Sequence, residues 1–156
     1  FHDLYTKYEQ DAAKKSLHLN LDLDSELPII EVSRLYIEEA LQNLITNALK
    51  YTKEGSITLA VKREGDRLRC SVVDTGIGVS KTDQKHLGER FFRSEDYRTR
   101  ETSGTGLGLY VVTKLAEKMG AEMDIESKLN HGSAFSLLIP IKSDVVPTGR
   151  RSQEVE

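Results

Sequence analysis

Hydrophobic positions recur along this chain at two periods, and the two alternate in blocks. Within 1–15, Leu4, Tyr5, Tyr8 and Ala12 fall at roughly helical spacing among polar residues, which predicts a helix. Leu17, Leu19, Leu21 and Leu23 then alternate with His18, Asn20 and Asp22, the period-two pattern of a half-buried strand. Pro28 interrupts the chain before a second helix, for which Ser33 is the candidate N-cap. Its expected apolar stripe is Leu35, Ile37, Leu41, Leu44, Ile45, Ala48 and Leu49, with Gly55 ending the element. Ile57, Leu59 and Val61 alternate again, and Gly65-Asp66 marks a turn into a return strand bearing Leu68, Cys70 and Val72.

From 80 to 105 the chain is polar, broken only by an apolar cluster of Leu87, Phe91 and Phe92. A loop of that length in a compact domain is usually functional or mobile. A further helix is predicted over 107–119, stopped by Gly120, and 121–126 with 133–141 read as a closing antiparallel pair. The stretch 143–156 is polar, carries no period and is expected to be a disordered tail. Helices and antiparallel strands in this order predict an α/β fold: a two-layer sandwich, one mixed and mostly antiparallel sheet with helices on one face.

Composition narrows this picture slightly. The 156 residues fit one domain, with 38% hydrophobic and 30% charged residues. No apolar run approaches the ~18 to 20 residues a membrane span needs. A net charge of −3 gives no electrostatic footprint for nucleic acid. The chain opens on Phe1 rather than Met, so a fragment of a longer protein is expected. Cys70 is the sole cysteine and, among Leu68, Val72 and Val73, reads as an inert thiol in a buried strand.

Three segments carry candidate chemistry. Asn43 and Asn47 are four residues apart and project from one helix face, with Lys50 and Tyr51 a turn further on. Asn is a poor helix former, so a mid-helix pair is either a solvated face or a set of oxygen ligands for Mg²⁺. Lys50 can neutralise phosphate charge beside them. Asp74 ends an apolar strand, where a carboxylate needs a partner; it suits the exocyclic amine of adenine, or simply closes a turn. Gly76 and Gly78 then let backbone approach a flat base. Gly104-Thr105-Gly106-Leu107-Gly108-Leu109 leads into a helix N-terminus, where unpaired amides bind phosphate. It is neither a Rossmann fingerprint nor a Walker loop.

These segments, in this order, resemble the ATP-binding domain of bacterial sensor histidine kinases, in the GHKL group with gyrase, the heat-shock chaperone ATPases and the MutL proteins. Asn43-Leu44-Ile45-Thr46-Asn47-Ala48-Leu49-Lys50-Tyr51-Thr52 resembles the N box, and Asp74-Thr75-Gly76-Ile77-Gly78 the G1 box. Glu89-Arg90-Phe91-Phe92-Arg93 is similar to the F box, and Gly104 to Leu109 to the G2 box. The resemblance implies ATP and Mg²⁺ as ligands. Asn47 and Asn43 would hold the metal, and Lys50 and Tyr51 would lie along phosphates and ribose. Asp74 would bind adenine N6 with Gly76 and Gly78 beneath the ring. Gly104, Thr105, Gly106, Leu107 and Gly108 would meet the phosphates and hinge a lid over 80–103. Arg93 is the first candidate for the γ-phosphate; Arg98 and Arg100 are second candidates that read rather as solvated charges.

The resemblance divides the chain into 1–16, the end of a preceding helical dimerisation domain or linker helix, 17–142, the catalytic domain, and the tail 143–156. Hydrolases of the group carry Glu where Asn43 stands, so catalysis here is expected to rest on positioning and charge stabilisation. The nucleophile would be a histidine on an upstream helical dimerisation domain, and a response regulator would be the full-length protein's partner. His2, His18, His86 and His131 all read as surface histidines rather than that acceptor. A cytoplasmic location is expected for this part, with any membrane anchor elsewhere in the parent protein. Gly88 replaces a usual Phe, which implies looser lid docking. The alternatives are a GHKL ATPase or anti-sigma-factor serine kinase, and a degenerate nucleotide-binding module.

Overall fold

The structure is a computed structural model that describes residues 1–100, 102 and 104–142, with Tyr97 and Arg100 described by backbone alone. The expected tail 143–156, the lid's last residue Ser103 and the Arg100 side chain lie outside the described residues.

Five strands form one sheet: β1 (His18–Leu23), β2 (Ser56–Glu64), β3 (Arg67–Asp74), β4 (Glu122–Lys128) and β5 (Gly132–Pro140), in the spatial order β1-β2-β3-β5-β4. β1 runs parallel to β2, because the helix α2 (Arg34–Tyr51) carries the chain back between them. The remaining pairings are antiparallel. The mixed, mostly antiparallel sheet is therefore present as expected.

The alternation seen in the sequence decides which face is covered. Leu19, Leu21 and Leu23, then Ile57, Leu59 and Val61, Leu68, Cys70 and Val72, and Phe135, Leu137 and Ile139 point to one side. There they meet α1 (His2–Lys14), α2 and α5 (Gly108–Lys118). α1 seats Leu4, Tyr8 and Ala12 in that same core, and the Lys15 ammonium donates to the Leu49 carbonyl at the end of α2. Cys70 is 1% exposed, and burial pushes its thiol up to about 12, which keeps it protonated and unreactive. The opposite face stays polar. Arg69 and Arg67 on β3 reach across β5 to Asp124 (2.7 Å) and Glu122 (3.4 Å) on β4, covering Ser136 and Leu138.

α2 begins where expected, with the Ser33 hydroxyl accepting from the Tyr36 amide at 3.3 Å. Its buried stripe is Ala40, Leu41, Leu44, Ile45, Ala48 and Leu49. Leu35, expected on that stripe, is 69% exposed. At about 100° per residue it lies on the side opposite Leu44, so its apolarity contributes nothing to this core. Burying residues such as Leu41 and Leu44 stabilises the helix by about 1.5–3 kcal/mol each. That fixes which flank of α2, the one bearing Asn43 and Asn47, turns towards the start of α5.

Candidate active site

α2, the end of β3, the start of α5 and the loop 80–107 enclose a cavity of about 370 Å³. Asn43, Asn47, Lys50, Tyr51, Asp74, Gly78, Arg93, Gly104, Thr105, Gly106, Leu107 and Gly108 all line it. Segments up to 65 positions apart in sequence thus converge on one space. Of the expected site residues, only Gly76 stays outside the lining.

Asp74 forms the floor. It is 8% exposed, and its Oδ1 accepts from the Gly76 amide at 2.8 Å. Burial raises its pKa above the ordinary carboxylate value, while the Gly76 and Ser133 amides and the Thr52 hydroxyl oppose that rise. The buried Thr52 Oγ1 completes no hydrogen bond of full geometry among the described residues, so its influence on the carboxylate is a weak one. Ser133 reaches Asp74 because the two are register partners across β3 and β5. A carboxylate so placed is an acceptor with spare capacity in an apolar setting of Ile77, Val79, Leu109, Val111 and Phe135.

The chain's own packing requires both glycines after Asp74. A side chain at Gly76 would strike the Tyr51 carbonyl and, at 2.9 Å, the Asp74 carboxylate. Gly78 adopts φ +67°, and a Cβ there would strike the Lys128 carbonyl of the β4–β5 turn. The Asn130 amide donates to the Ile77 carbonyl at 2.6 Å, so the turn after Asp74 is seated on that hairpin.

The opposite wall is α2. The Asn43 amide nitrogen donates to the Glu39 carbonyl at 2.9 Å, which leaves its Oδ1 facing the start of α5, 3.6 Å from where a Cβ on Gly108 would stand. Asn47, one turn on, is half-buried and makes no side-chain hydrogen bond among the described residues. Two amide oxygens over a helix N-terminus fit Mg²⁺ held jointly with phosphates. No group of three or more His, Cys, Asp or Glu capable of caging a metal occurs among the described residues, so such an ion would take most of its ligands from phosphate and water.

The lid over this space contains two short helices, α3 (Lys81–Gln84) and α4 (Tyr97–Arg100). At its root, Gln84 Nε2 donates to the carbonyls of Val79 (2.8 Å) and Ser127 (3.0 Å). Further along, Arg93 donates to the Thr99 and Thr102 carbonyls (2.8 and 2.5 Å), so its guanidinium is engaged within the lid. Arg98, expected as a solvated charge, instead pairs with Asp96 (2.7 Å) and donates to Asn130 Oδ1 at 2.7 Å. That pairing holds the Asp96 carboxyl down at about 2. The expected apolar cluster is split: Leu87 and Phe92 line the cavity, whereas Phe91 is 62% exposed at φ +64° with Arg90 over its ring. Gly106, at φ +75°, lets the Phe91 backbone cross within 2.6 Å of where its Cβ would be. Gly88, at φ +89°, packs so that a Cβ would meet Thr113 Oγ1 at 2.8 Å. The lid backbone therefore lies directly against α5 at this position.

His2, His18, His86 and His131 all lie outside the cavity lining, and His86 pairs with Glu89 at 3.0 Å in the lid. Sequence reasoning missed the apolar walls and Ser133, which the sheet register alone brings to Asp74.

This sheet, with an acceptor floor and an asparagine-bearing helix facing a glycine-rich helix start, is the architecture of an ATP-binding GHKL domain. The chain belongs to the family described as histidine kinase-, DNA gyrase B- and HSP90-like ATPase, whose model matches residues 33–143. Among curated proteins it is 35% identical to the circadian input-output histidine kinase CikA of Synechococcus elongatus, over 86% of this chain and 18% of that one. It is 34% identical to the histidine protein kinase SaeS of Staphylococcus epidermidis, over 85% of this chain and 38% of that one. Among solved structures it superposes on full-length ShkA in complex with AMPPNP with a TM-score of 0.81 (27% identity, 90% of this chain, 29% of that one). The catalytic domain of the histidine kinase ThkA gives 0.76 (25% identity, 90% of each chain). The chain thus spans well under half the length of these curated relatives. No helix among the described residues is long and apolar enough to cross a membrane.

Proposed function

We propose that this chain is the catalytic ATP-binding domain of a two-component sensor histidine kinase, moving the γ-phosphoryl of ATP to a histidine on a separate helical dimerisation domain. The observation that carries the reading is Asn43. Its amide nitrogen is tied to Glu39 and its oxygen faces the N-terminus of α5, so it is fixed as a ligand and has no proton-accepting carboxylate to activate water. Asp74 accepts the adenine amine, and the apolar walls enclose the base. Lys50, Tyr51 and the segment Gly104 to Gly108 lie along ribose and phosphates. Asn47 and Asn43 hold Mg²⁺, which neutralises charge on the phosphates when bound. Arg93 meets the γ-phosphate after releasing the Thr99 and Thr102 carbonyls. The reaction then depends on alignment and charge stabilisation, with the attacking imidazole supplied by the partner.

In this reading 1–16 is the end of the preceding helical dimerisation domain or a linker helix, a response regulator takes the phosphoryl group onward, and the domain works in the cytoplasm. The test is an assay of the chain with Mg-ATP, alone and with a helical domain bearing a His-Glu/Asp-x-x-x-Pro motif. Transfer to that histidine with negligible hydrolysis by the chain alone is expected. Sustained hydrolysis by the chain alone would favour a GHKL ATPase and overturn the proposal.

A further inference from the structure

We infer that Ser127 on β4 is a positioning residue that aims Asp74 and anchors the lid root together, and so sets the preference for a 6-amino over a 6-oxo purine. The inference rests on reading the cavity as an ATP site. Ser127 does not line that cavity, so it acts only through others. Its hydroxyl lies 2.8 Å from the Val79 amide, 3.0 Å from the Gly132 carbonyl and 2.7 Å from Ser133 Oγ. It has one proton to give, and only the Gly132 carbonyl must receive one. It therefore donates to Gly132 and accepts from Val79 N–H and Ser133 O–H, a fully used hydroxyl.

Each of those three partners bears on the site. Ser133 is the cross-strand partner of Asp74, seated directly beside its carboxylate-bearing position on β3. Gly132 packs against the Asp74 backbone so closely that a Cβ there would strike the Asp74 carbonyl. Val79 ends the turn that begins at Asp74, and its carbonyl, with that of Ser127, receives Gln84 from the first lid helix. One side chain thus ties the floor's acceptor, the strand that orients it and the root of the lid.

The sequence pattern points the same way. Met123 and Ile125 occupy the core-facing positions of β4, and Ser127 is the next residue on that face. Packing alone favours another apolar residue there. A hydroxyl there gives a part-buried amide and a part-buried carbonyl their partners.

The discriminating experiment titrates ATP and GTP, each with Mg²⁺, into the wild-type chain and into Ser127→Ala, Ser127→Thr and Ser133→Ala. All titrations are made well below each variant's melting midpoint. The wild type is expected to prefer ATP. Ser127→Ala should reduce the ATP-over-GTP ratio by about fivefold to tenfold, the effect of one hydrogen bond, with the loss on the ATP side. Ser127→Thr keeps the hydroxyl and should keep the ratio. Ser133→Ala, which removes the Ser127–Ser133 bond from its other end and also alters the cavity lining, should lower it as well. An unchanged ratio in Ser127→Ala, equal weakening of both nucleotides, or a ratio lost in Ser127→Thr as well would overturn the role of Ser127 while leaving ATP binding standing. A wild type that bound neither nucleotide would overturn the ATP reading, and this inference with it.

Discussion

Asp74 and Asp96 line the same cavity from opposite sides, and the protein holds them in opposite ways. Asp74 is buried in the floor, and its carboxyl is pushed above the ordinary value because burial outweighs the amides that serve it. Asp96 is in the lid, and Arg98 holds its carboxyl down at about 2. The floor keeps an acceptor under tension, ready for a donor from outside. The lid is satisfied by its own ion pair and by Asn130, and has to give up contacts before Arg93 or its neighbours serve a ligand. Rigid floor and self-satisfied lid are therefore different kinds of structure: one preorganised, the other competing with ligand.

The largest effect expected from breaking this contrast is at the floor. Asp74→Ala should weaken ATP binding by about tenfold to a hundredfold, the worth of a hydrogen bond to a charged acceptor. A calorimetric titration that returned wild-type affinity would remove Asp74 from the site.

Acidification separates the two carboxylates next. Asp74 has a folded pKa above its unfolded value of about 3.8, so protonation favours the native state, and its contribution to stability rises as pH falls through the raised value. ATP affinity should move the other way, by about tenfold per pH unit below that pKa, because the acceptor is lost. Asp96 contributes stability that is complete above about 3.8 and is lost as pH falls through about 2, so the lid pair persists while Asp74 titrates. On acidification, ATP affinity and the melting midpoint of the wild type relative to Asp74→Asn should therefore show opposed slopes, with a flattened affinity profile for Asp74→Asn. Parallel slopes would contradict the assignment.

A smaller change is expected in the lid. Arg98→Ala removes the Asp96 pair and the bond to Asn130, which is worth about 1 kcal/mol for a partly exposed pair. Amide exchange over 92–102 should speed up by about fivefold, with the melting midpoint nearly unchanged. Exchange that accelerated equally in β3 would mean that lid and floor are one cooperative unit. The smallest effect is at Cys70, whose buried thiol should resist a disulfide reagent until the chain unfolds.

What could be read from sequence follows the range of the interactions involved. Asn43, Asn47 and Lys50 were legible because a helix fixes their spacing within two turns, and Ser33 because an N-cap is local. Asp74 was legible as a costly carboxylate ending an apolar strand. Its partner Ser133 was not, since only the β3–β5 register brings them together. Leu35 misled because apolarity was counted without its angle about the helix. Gly76 and Gly78 were recognised as places of close approach, but the approaching atoms are Tyr51 and Lys128 of the chain itself. Arg98 was misjudged because its partners, Asp96 and Asn130, meet it only when the lid folds against the β4–β5 turn.

In the proposed function, Asn47 and the glycine-rich start of α5 hold the triphosphate and its metal in this one cavity. Calorimetric titration of ATP, with and without Mg²⁺, into the wild type and Asn47→Asp tests it most directly. Mg²⁺-dependent binding is expected of the wild type, with a loss of at least about tenfold in Asn47→Asp, where a carboxylate would face the phosphates. Equal affinity of the two proteins for Mg-ATP would contradict it.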